Sequence, residues 1–429
     1  MPMNAPLFLE SLSNLPNADY MLSLRERNPS YFLKRAQWLL QEKSEISKFL
    51  RKTKIIHITG TSGKGTVGAL LQSILAHAGY TVGFYNSPHV GDVYERIRVS
   101  KPDIHKNAVS TEIIPPHAFE SLAQGLKPEL VKSITESPYG LPSYFDILFV
   151  LGLLYFKKIR AHWTIIEVGC GGRYDSTNII KTSDLSLITT IGDDHAHLIG
   201  PRLTDIAYEK AGIIKPRGVV VVGPYIKGKA LSLIKQEADK KKAVLYQTPM
   251  PKKGRPDENF AIASFTAKLL KINNAIIEQG IRQYTPLPGR FEIIAENPTI
   301  ILDGAHNKDK MRYLIDALEP FFKRADRKFL IFAATGTKDW RAMLSLLFPC
   351  FDKIYLTRHT VRERKVADMK AMYLYVKKCK KLSPLLYLDP EDALKDAMRN
   401  ARQKDLIVAT GSLYLLGSLK KFHEKTPYC

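Results

Sequence analysis

At 429 residues the chain has room for roughly two or three domains at about 150 residues each, so sizeable cores are within reach. Hydrophobic residues at 45% and charged residues at 25% exclude collagen-like, disordered and disulfide-scaffold classes. The unusual figure is charge: 64 Lys+Arg against 42 Asp+Glu leave +22, which favours polyanionic company, whether nucleic acid, an acidic surface or a small molecule rich in phosphates and carboxylates.

The opening MPMNAPLFLESL carries Glu10 in its only early apolar stretch and has no basic leader, so it does not read as a secretory signal. The greasiest segment, Tyr144 to Phe156, is too short to span a bilayer and contains Asp146. Cys170, Cys350, Cys379 and Cys429 form no CxxC pair, which argues against a zinc knuckle or a disulfide framework. A cytoplasmic protein is the expectation.

In chain order, strands are expected at 54–59, 163–167, 185–191, 219–222, 299–302, 329–332, 353–356 and 406–409. Helices are expected at 65–79, 146–158, 203–212, 259–279, 309–322 and 391–402. Such alternation predicts an α/β fold with mostly parallel sheets covered on both faces. Pro102 to Gly140, rich in Pro, Ser and Lys, reads as an extended or mobile connection. The interruption Tyr284 to Arg290 marks a linker. The expected organisation is therefore an N-terminal P-loop three-layer domain over residues 1–284, with 1–53 divergent. A linker at 285–291 and a smaller Rossmann-like α/β domain at 292–429 follow.

The sharpest local feature is Gly60-Thr-Ser-Gly-Lys-Gly-Thr66, between the first predicted strand and a helical stretch. Such a turn lets backbone N–H groups close on phosphate oxygens, with the helix N-terminus and Lys64 adding positive potential. A nucleotide triphosphate site is implied. The spelling departs from the standard P-loop: Gly60 and Gly63 stand closer together, and Gly65 separates Lys64 from Thr66.

That variant resembles the Mur ligase superfamily, and the extra glycine resembles its folate branch, folylpolyglutamate synthase and dihydrofolate synthase. Further segments resemble the same family in order: Asn86 to Val90 followed by Glu95 to Ile97, Ser143 to Asp146, Glu167 to Asn178, Thr189 to His195, Glu209 to Lys215, Pro288 to Phe291, Leu302 to Asn307 and Thr410 to Tyr414. The resemblance implies an ATP-dependent, amide-forming ligase: a pteroate or folate carboxylate is phosphorylated, and the amino group of L-glutamate attacks the acyl phosphate. Mg²⁺ is the implied cofactor beside ATP. The implied partners are small molecules alone, with no nucleic acid and no membrane, acting on a monomer. A Mur-type ligase for a cell-wall precursor, or a nucleotide-dependent nucleic-acid-binding protein, is the alternative. The second is disfavoured by the absence of any recognisable nucleic-acid motif.

By residue, the resemblance puts Gly60, Thr61, Ser62, Gly63, Lys64 and Gly65 on the phosphates, and Thr66, Asp146, His195 and a carbamylated Lys210 at metal ions. Asp146 stands where the family usually has Glu, and an Asp capping its own helix is the competing reading. Asn259, Arg290, Asp303 and His306 are implied on ATP. Ser87, His89, Arg173 and Asp175 are implied near the acceptor, with a salt bridge between Arg173 and Asp175 as the plainer reading of that pair. Lys64, His195 and Lys210 are the implied catalytic residues.

Overall fold

The computed structural model describes residues 4–12, 30–41, 44–103, 108–192, 199–251, 258–361, 365–379 and 383–425. The chain divides into two compact units, one made of residues 1–88 and 93–285, the other of 89–92 and 286–429. The break at 285/286 falls within the Tyr284 to Arg290 interruption, whereas the allotment of 89–92 to the second unit follows from packing that no local pattern reports.

The first unit begins with helices α1 (Ala5–Ser11), α2 (Ser30–Gln41) and α3 (Ser44–Leu50). Then come β1 (Lys54–Thr59), α4 (Lys64–His77), β2 (Val82–Tyr85), β3 (Ile97–Asp103), β4 (Ala108–Ile113), α5 (Pro116–Glu136), α6 (Tyr144–Lys158) and β5 (Trp163–Glu167). It continues through β6 (Leu185–Ile188), α7 (Leu203–Ala211), β7 (Val219–Val222), α8 (Gly228–Lys240), β8 (Val244–Gln247), α9 (Glu258–Leu269) and α10 (Asn274–Arg282). The eight strands form one sheet in the order β4-β3-β2-β5-β1-β6-β7-β8. From β2 to β8 the neighbours are parallel, and β3 and β4 add an antiparallel edge.

Burial explains why this sheet is parallel. β1 is buried from Ile55 to Thr59, so its residues pack on both faces, as a run without polar alternation requires. The covering helices are buried just as completely: α6 from Asp146 to Phe156, and α4 at every position from Val67 to Ala76. Such helices cannot show a one-sided stripe, because neither has a solvent side.

Where the sequence suggested an extended connection, the structure places the antiparallel edge and a 21-residue helix, α5. Its buried positions, Ala118, Phe119, Ala123, Leu126 and Leu130, recur at helical spacing. The Lys, Ser and Pro between them mask the stripe, and Pro128 sits inside the helix without ending it. The helix expected over 259–279 is two helices, α9 and α10. The second is started by Asn273, whose side-chain oxygen accepts the N–H of Ala275 at 2.8 Å.

The second unit contains β9 (Glu292–Glu296), β10 (Thr299–Leu302), α11 (Lys308–Phe322), β11 (Lys328–Phe332), α12 (Trp340–Leu347), β12 (Lys353–Leu356) and α13 (Met369–Cys379). β13 (Leu385–Leu386), α14 (Pro390–Asn400), β14 (Leu406–Thr410) and α15 (Leu413–Lys425) complete it. Its sheet runs β13-β12-β11-β14-β10-β9 and is parallel except for β9. Successive residues of β11 serve opposite cores. Leu330 and Phe332 pack with Met311, Leu314 and Leu318 of α11, while Phe329 and Ile331 pack with Ala393, Leu394 and Ala397 of α14. Three layers follow from that alternation. No helix among the described residues is long and apolar enough to cross a membrane.

One buried charge makes the first unit pH-sensitive. Lys215 is 7% exposed, and its ammonium donates to Asn178 Oδ1 at 2.7 Å. Burial, helped by the nearby Lys241, lowers its pKa from 10.5 to about 7. Between those values the unfolded chain holds a proton that the folded chain does not, so stability rises with pH across that window. We expect the urea midpoint of the wild type to climb between pH 7 and 10 relative to Lys215→Met. Parallel curves for the two would overturn the assignment.

Candidate active site

The loop from Gly60 to Gly63 leaves β1 at the carboxyl end of the sheet and enters α4. Neither glycine can be replaced without disturbing it. Gly60 has φ +154°, and a Cβ there would lie 1.9 Å from Thr189 Oγ1. Gly63, the N-cap of α4, is left-handed at φ +83° and supplies no side-chain cap. The first-turn N–H groups of a 14-residue helix are therefore left for a ligand to cap.

The loop is stapled to the end of β6. Thr61 N–H reaches Thr190 O at 3.0 Å, and Ser62 N–H reaches Thr190 Oγ1 at 2.8 Å. Thr189 Oγ1 donates to Ser62 O at 2.5 Å, and Thr61 Oγ1 to Gly192 O at 3.0 Å. Lys64 folds back so that its ammonium sits 2.8 Å from Gly60 O. Ser62 Oγ is buried with no hydrogen-bond partner, a donor held ready inside the loop. Asn259, in the first turn of α9, is brought to the same place: a Cβ on Gly63 would meet its Oδ1 at 2.2 Å. Gly60 to Thr66 and Asn259, nearly two hundred residues apart, thus share one locus.

β5 lies beside β1, with Ile58 opposite Glu167. Glu167 ends its strand 3% exposed and accepts the N–H of Ser87 at 3.1 Å. Sequence reasoning passed over this carboxylate. The available signal was an acid closing an otherwise apolar strand that neighbours the phosphate loop. The glycine turn after it is joined to β1 through Thr59 Oγ1, which donates to Gly171 O at 2.7 Å.

Asp146 occupies a different setting from the metal position expected of it. One of its oxygens accepts Arg35 Nε at 2.8 Å and the N–H of Ser143 at 2.8 Å, and the other accepts the hydroxyl of Ser176. With Ser143 it forms the capping box of α6, and at 0% exposure it is wholly committed to protein donors. The structure supports the helix-capping reading, with Arg35 from α2 as counter-ion.

Arg173 and Asp175 also separate. Arg173 lies 3.8 Å from the Tyr208 ring centroid, donates to Tyr208 O at 3.1 Å and pairs with Glu237 of α8 at 3.4 Å. Asp175 turns inward, accepting the N–H of Cys170 at 2.9 Å and the hydroxyl of Thr177 at 2.6 Å. Burial raises its pKa against those hydrogen bonds. The salt bridge expected between these two residues is replaced by two separate structural ties.

Lys210 is 4% exposed on α7, far from the surface position an ordinary helix lysine takes. Its neighbour Glu209 is pushed up to about 7 by burial, with Arg173 and Lys210 pulling the other way. His195 lies outside the described residues. Of the loop after β2, Ser87 remains in the first unit and His89 in the second. Among the described residues no group of three or more His, Cys, Asp or Glu converges as a metal cage.

Arg290, Asp303 and His306 gather in the second unit. Asp303 follows β10 and accepts the N–H of Ala305 at 2.8 Å and of Phe291 at 2.9 Å. Burial raises its pKa, opposed by those bonds and by Arg290 and Lys310. Arg290 lies against Gly304, where a Cβ would come within 2.9 Å of its Nη1.

Residues 289–413 match the Mur ligase, glutamate ligase domain family. Folylpolyglutamate synthase of Lacticaseibacillus casei is 30% identical over 413 residues, covering 86% of this chain and 89% of that protein. The Escherichia coli FolC structure in complex with DHPP and ADP is 25% identical, with a TM-score of 0.79 over 100% of this chain and 99% of that one. The Yersinia pestis bifunctional folylpolyglutamate synthase/dihydrofolate synthase complexed with AMPPNP and Mn ion is also 25% identical. It covers 98% of each chain with a TM-score of 0.76. A phosphate loop on a parallel sheet, followed by a unit of this domain family, defines a Mur-type amide ligase. Within that class, the chain belongs to the folylpolyglutamate synthase/dihydrofolate synthase family.

Proposed function

We propose that the protein uses ATP and Mg²⁺ to join L-glutamate to the carboxylate of dihydropteroate, of a folate, or of both. The observation that carries this reading is the phosphate loop, with Lys64, the uncapped start of α4, the partnerless Ser62 hydroxyl and Asn259 all at one place. The ligand complexes of the two solved relatives support it, as does the glutamate ligase domain.

The acceptor's carboxylate oxygen attacks the γ-phosphorus of ATP and ADP departs. The amine of glutamate then attacks the acyl carbon, inorganic phosphate leaves, and the amine gives up its proton. Phosphoryl transfer is governed by position and counter-charge, which the loop N–H groups and Lys64 provide. A divalent cation, when bound, would neutralise charge developing on the phosphates. The donor set fits one: the hydroxyl of Thr66, in the first turn of α4, and the carboxylate of Glu167, at the end of β5 beside β1, are hard oxygen donors. Such a cation takes hard oxygen donors of this kind. We assign the carboxylate role to Glu167 in place of Asp146.

Lys210 is proposed as carbamylated. Its burial beside the glycine turn, where a Cβ on Gly172 would lie 3.3 Å from Lys210 Cα, favours an amine that reacts with carbon dioxide over an exposed ammonium. The ¹³C NMR spectrum of protein equilibrated with labelled bicarbonate should show one carbamate signal that Lys210→Met lacks. A spectrum identical in the two proteins would refute the modification.

The overall reading is tested by phosphate release with ATP and glutamate, adding dihydropteroate or tetrahydrofolate separately. Release that requires one of these acceptors supports it and identifies the acceptor. Acceptor-independent release, or none, would sink it.

A further inference from the structure

The glycine turn after β5 is pressed against the end of α7 so closely that backbone meets backbone. A Cβ on Gly172 would lie 2.9 Å from Glu209 O and 3.3 Å from Lys210 Cα, and one on Gly212 would collide with Arg173 Cα. Arg173 N–H donates across the same seam to Glu209 O at 2.8 Å. The seam therefore sets where Lys210, on α7, stands relative to Glu167, from which the turn departs. One amide grips both of its sides: Asn178 Nδ2 donates to Arg173 O at 2.9 Å and to Gly212 O at 3.3 Å. Its Oδ1 accepts the ammonium of Lys215 at 2.7 Å. An ammonium offers only donors, so it selects the amide orientation that turns the nitrogen toward the two carbonyls. Keeping that amine 7% exposed, with Lys241 nearby, costs stability that an apolar side chain of similar length would not. Retention of a lysine at such a place is explained by what it holds.

We propose that Lys215 is a positioning residue for the reaction: through Asn178 it fixes the seam between the glycine turn and α7, and with it the placement of Lys210 relative to Glu167. This rests on the ligase reading, in which those two residues have chemical roles. The phosphate loop is held separately, by Thr189 and Thr190. Lys215→Met should therefore lower kcat for phosphate release about tenfold, the scale of loss when a reacting group is held less firmly, while KM for ATP changes by less than about twofold. Its urea midpoint at pH 7 should not fall, because a buried amine gives way to an apolar chain and the half-buried Asn178 amide can turn to water. Asn178→Ala should show the same split between kcat and KM. The double variant should lose no more turnover than the worse single, as residues acting in one unit do. Should one single variant fail to fold, the other carries the measurement. Unchanged kcat in a folded single variant, or an ATP KM that rises as much as kcat falls, would overturn the proposal while leaving the ligase reading intact. Losses that multiply in the double variant would overturn it too, since Lys215 would not then act through Asn178. A wild type that releases no phosphate with any acceptor would instead remove the ligase reading itself.

Discussion

Lys64→Ala should lower kcat/KM for ATP by about 10²–10³-fold while the protein melts where the wild type does. The ammonium is the one full charge within the phosphate loop, and the loop's shape does not depend on it. Shape is set by the Thr189 and Thr190 bonds and by the glycine conformations at Gly60 and Gly63. The 2.8 Å bond from Lys64 to Gly60 O is replaceable by water, since Lys64 is only half-buried. Lys64→Arg should recover little, because a planar fork does not fit where a compact charge is cradled by backbone. Phosphate release at saturating acceptor, paired with a thermal melt, checks both halves. More than a tenth of wild-type activity in Lys64→Ala would mean that phosphate is not held here.

The largest stability effect is expected at Arg35. It is 1% exposed and its partner Asp146 is 0% exposed, so Arg35→Met strands a carboxylate in the core with only Ser143 and Ser176 to satisfy it. Breaking one side of a buried pair costs about 3–5 kcal/mol. Neutralising the survivor should reverse most of that loss, and Asp146→Asn does so while keeping an acceptor for the capping box. The double variant Arg35→Met/Asp146→Asn is therefore expected to unfold at a higher urea concentration than Arg35→Met alone. A single variant within about 1 kcal/mol of wild type would show that the pair contributes little.

What was legible in the sequence was local. The phosphate loop is seven consecutive residues whose glycines, lysine and hydroxyls each answer a short-range need, and its strand and helix flank it directly. The parallel strands were legible because burial on both faces leaves unbroken apolar runs. Asp146 shows where such reading stops: its role as a cap of its own helix was visible, but its counter-ion Arg35 is 111 residues distant and arrives on a helix with no recognisable signature. Arg173 and Asp175 failed differently. Two opposite charges two residues apart read naturally as a pair, yet the turn between them points one at α8 and the other into the core. Glu167 was in plain view at a strand end. Its significance depends on which strand lies next to it, a fact of topology.

Residues His89 to Asp92 have a consequence for how this enzyme can be taken apart. Gly417 and Gly289 lie against Val90: a Cβ on the first would come within 2.3 Å of its carbonyl oxygen, and one on the second within 3.1 Å of its Cγ2. The second unit is therefore a two-piece object, completed by a strip of chain encoded some two hundred codons upstream of the rest. A fragment cut at residue 286 would leave bare the apolar seat that Val90 fills beside Leu413 and Leu416. Recombination that exchanges only the downstream portion would bring in a new seat without its matching strip. The two units inherit as one cassette, even though each has cores of its own.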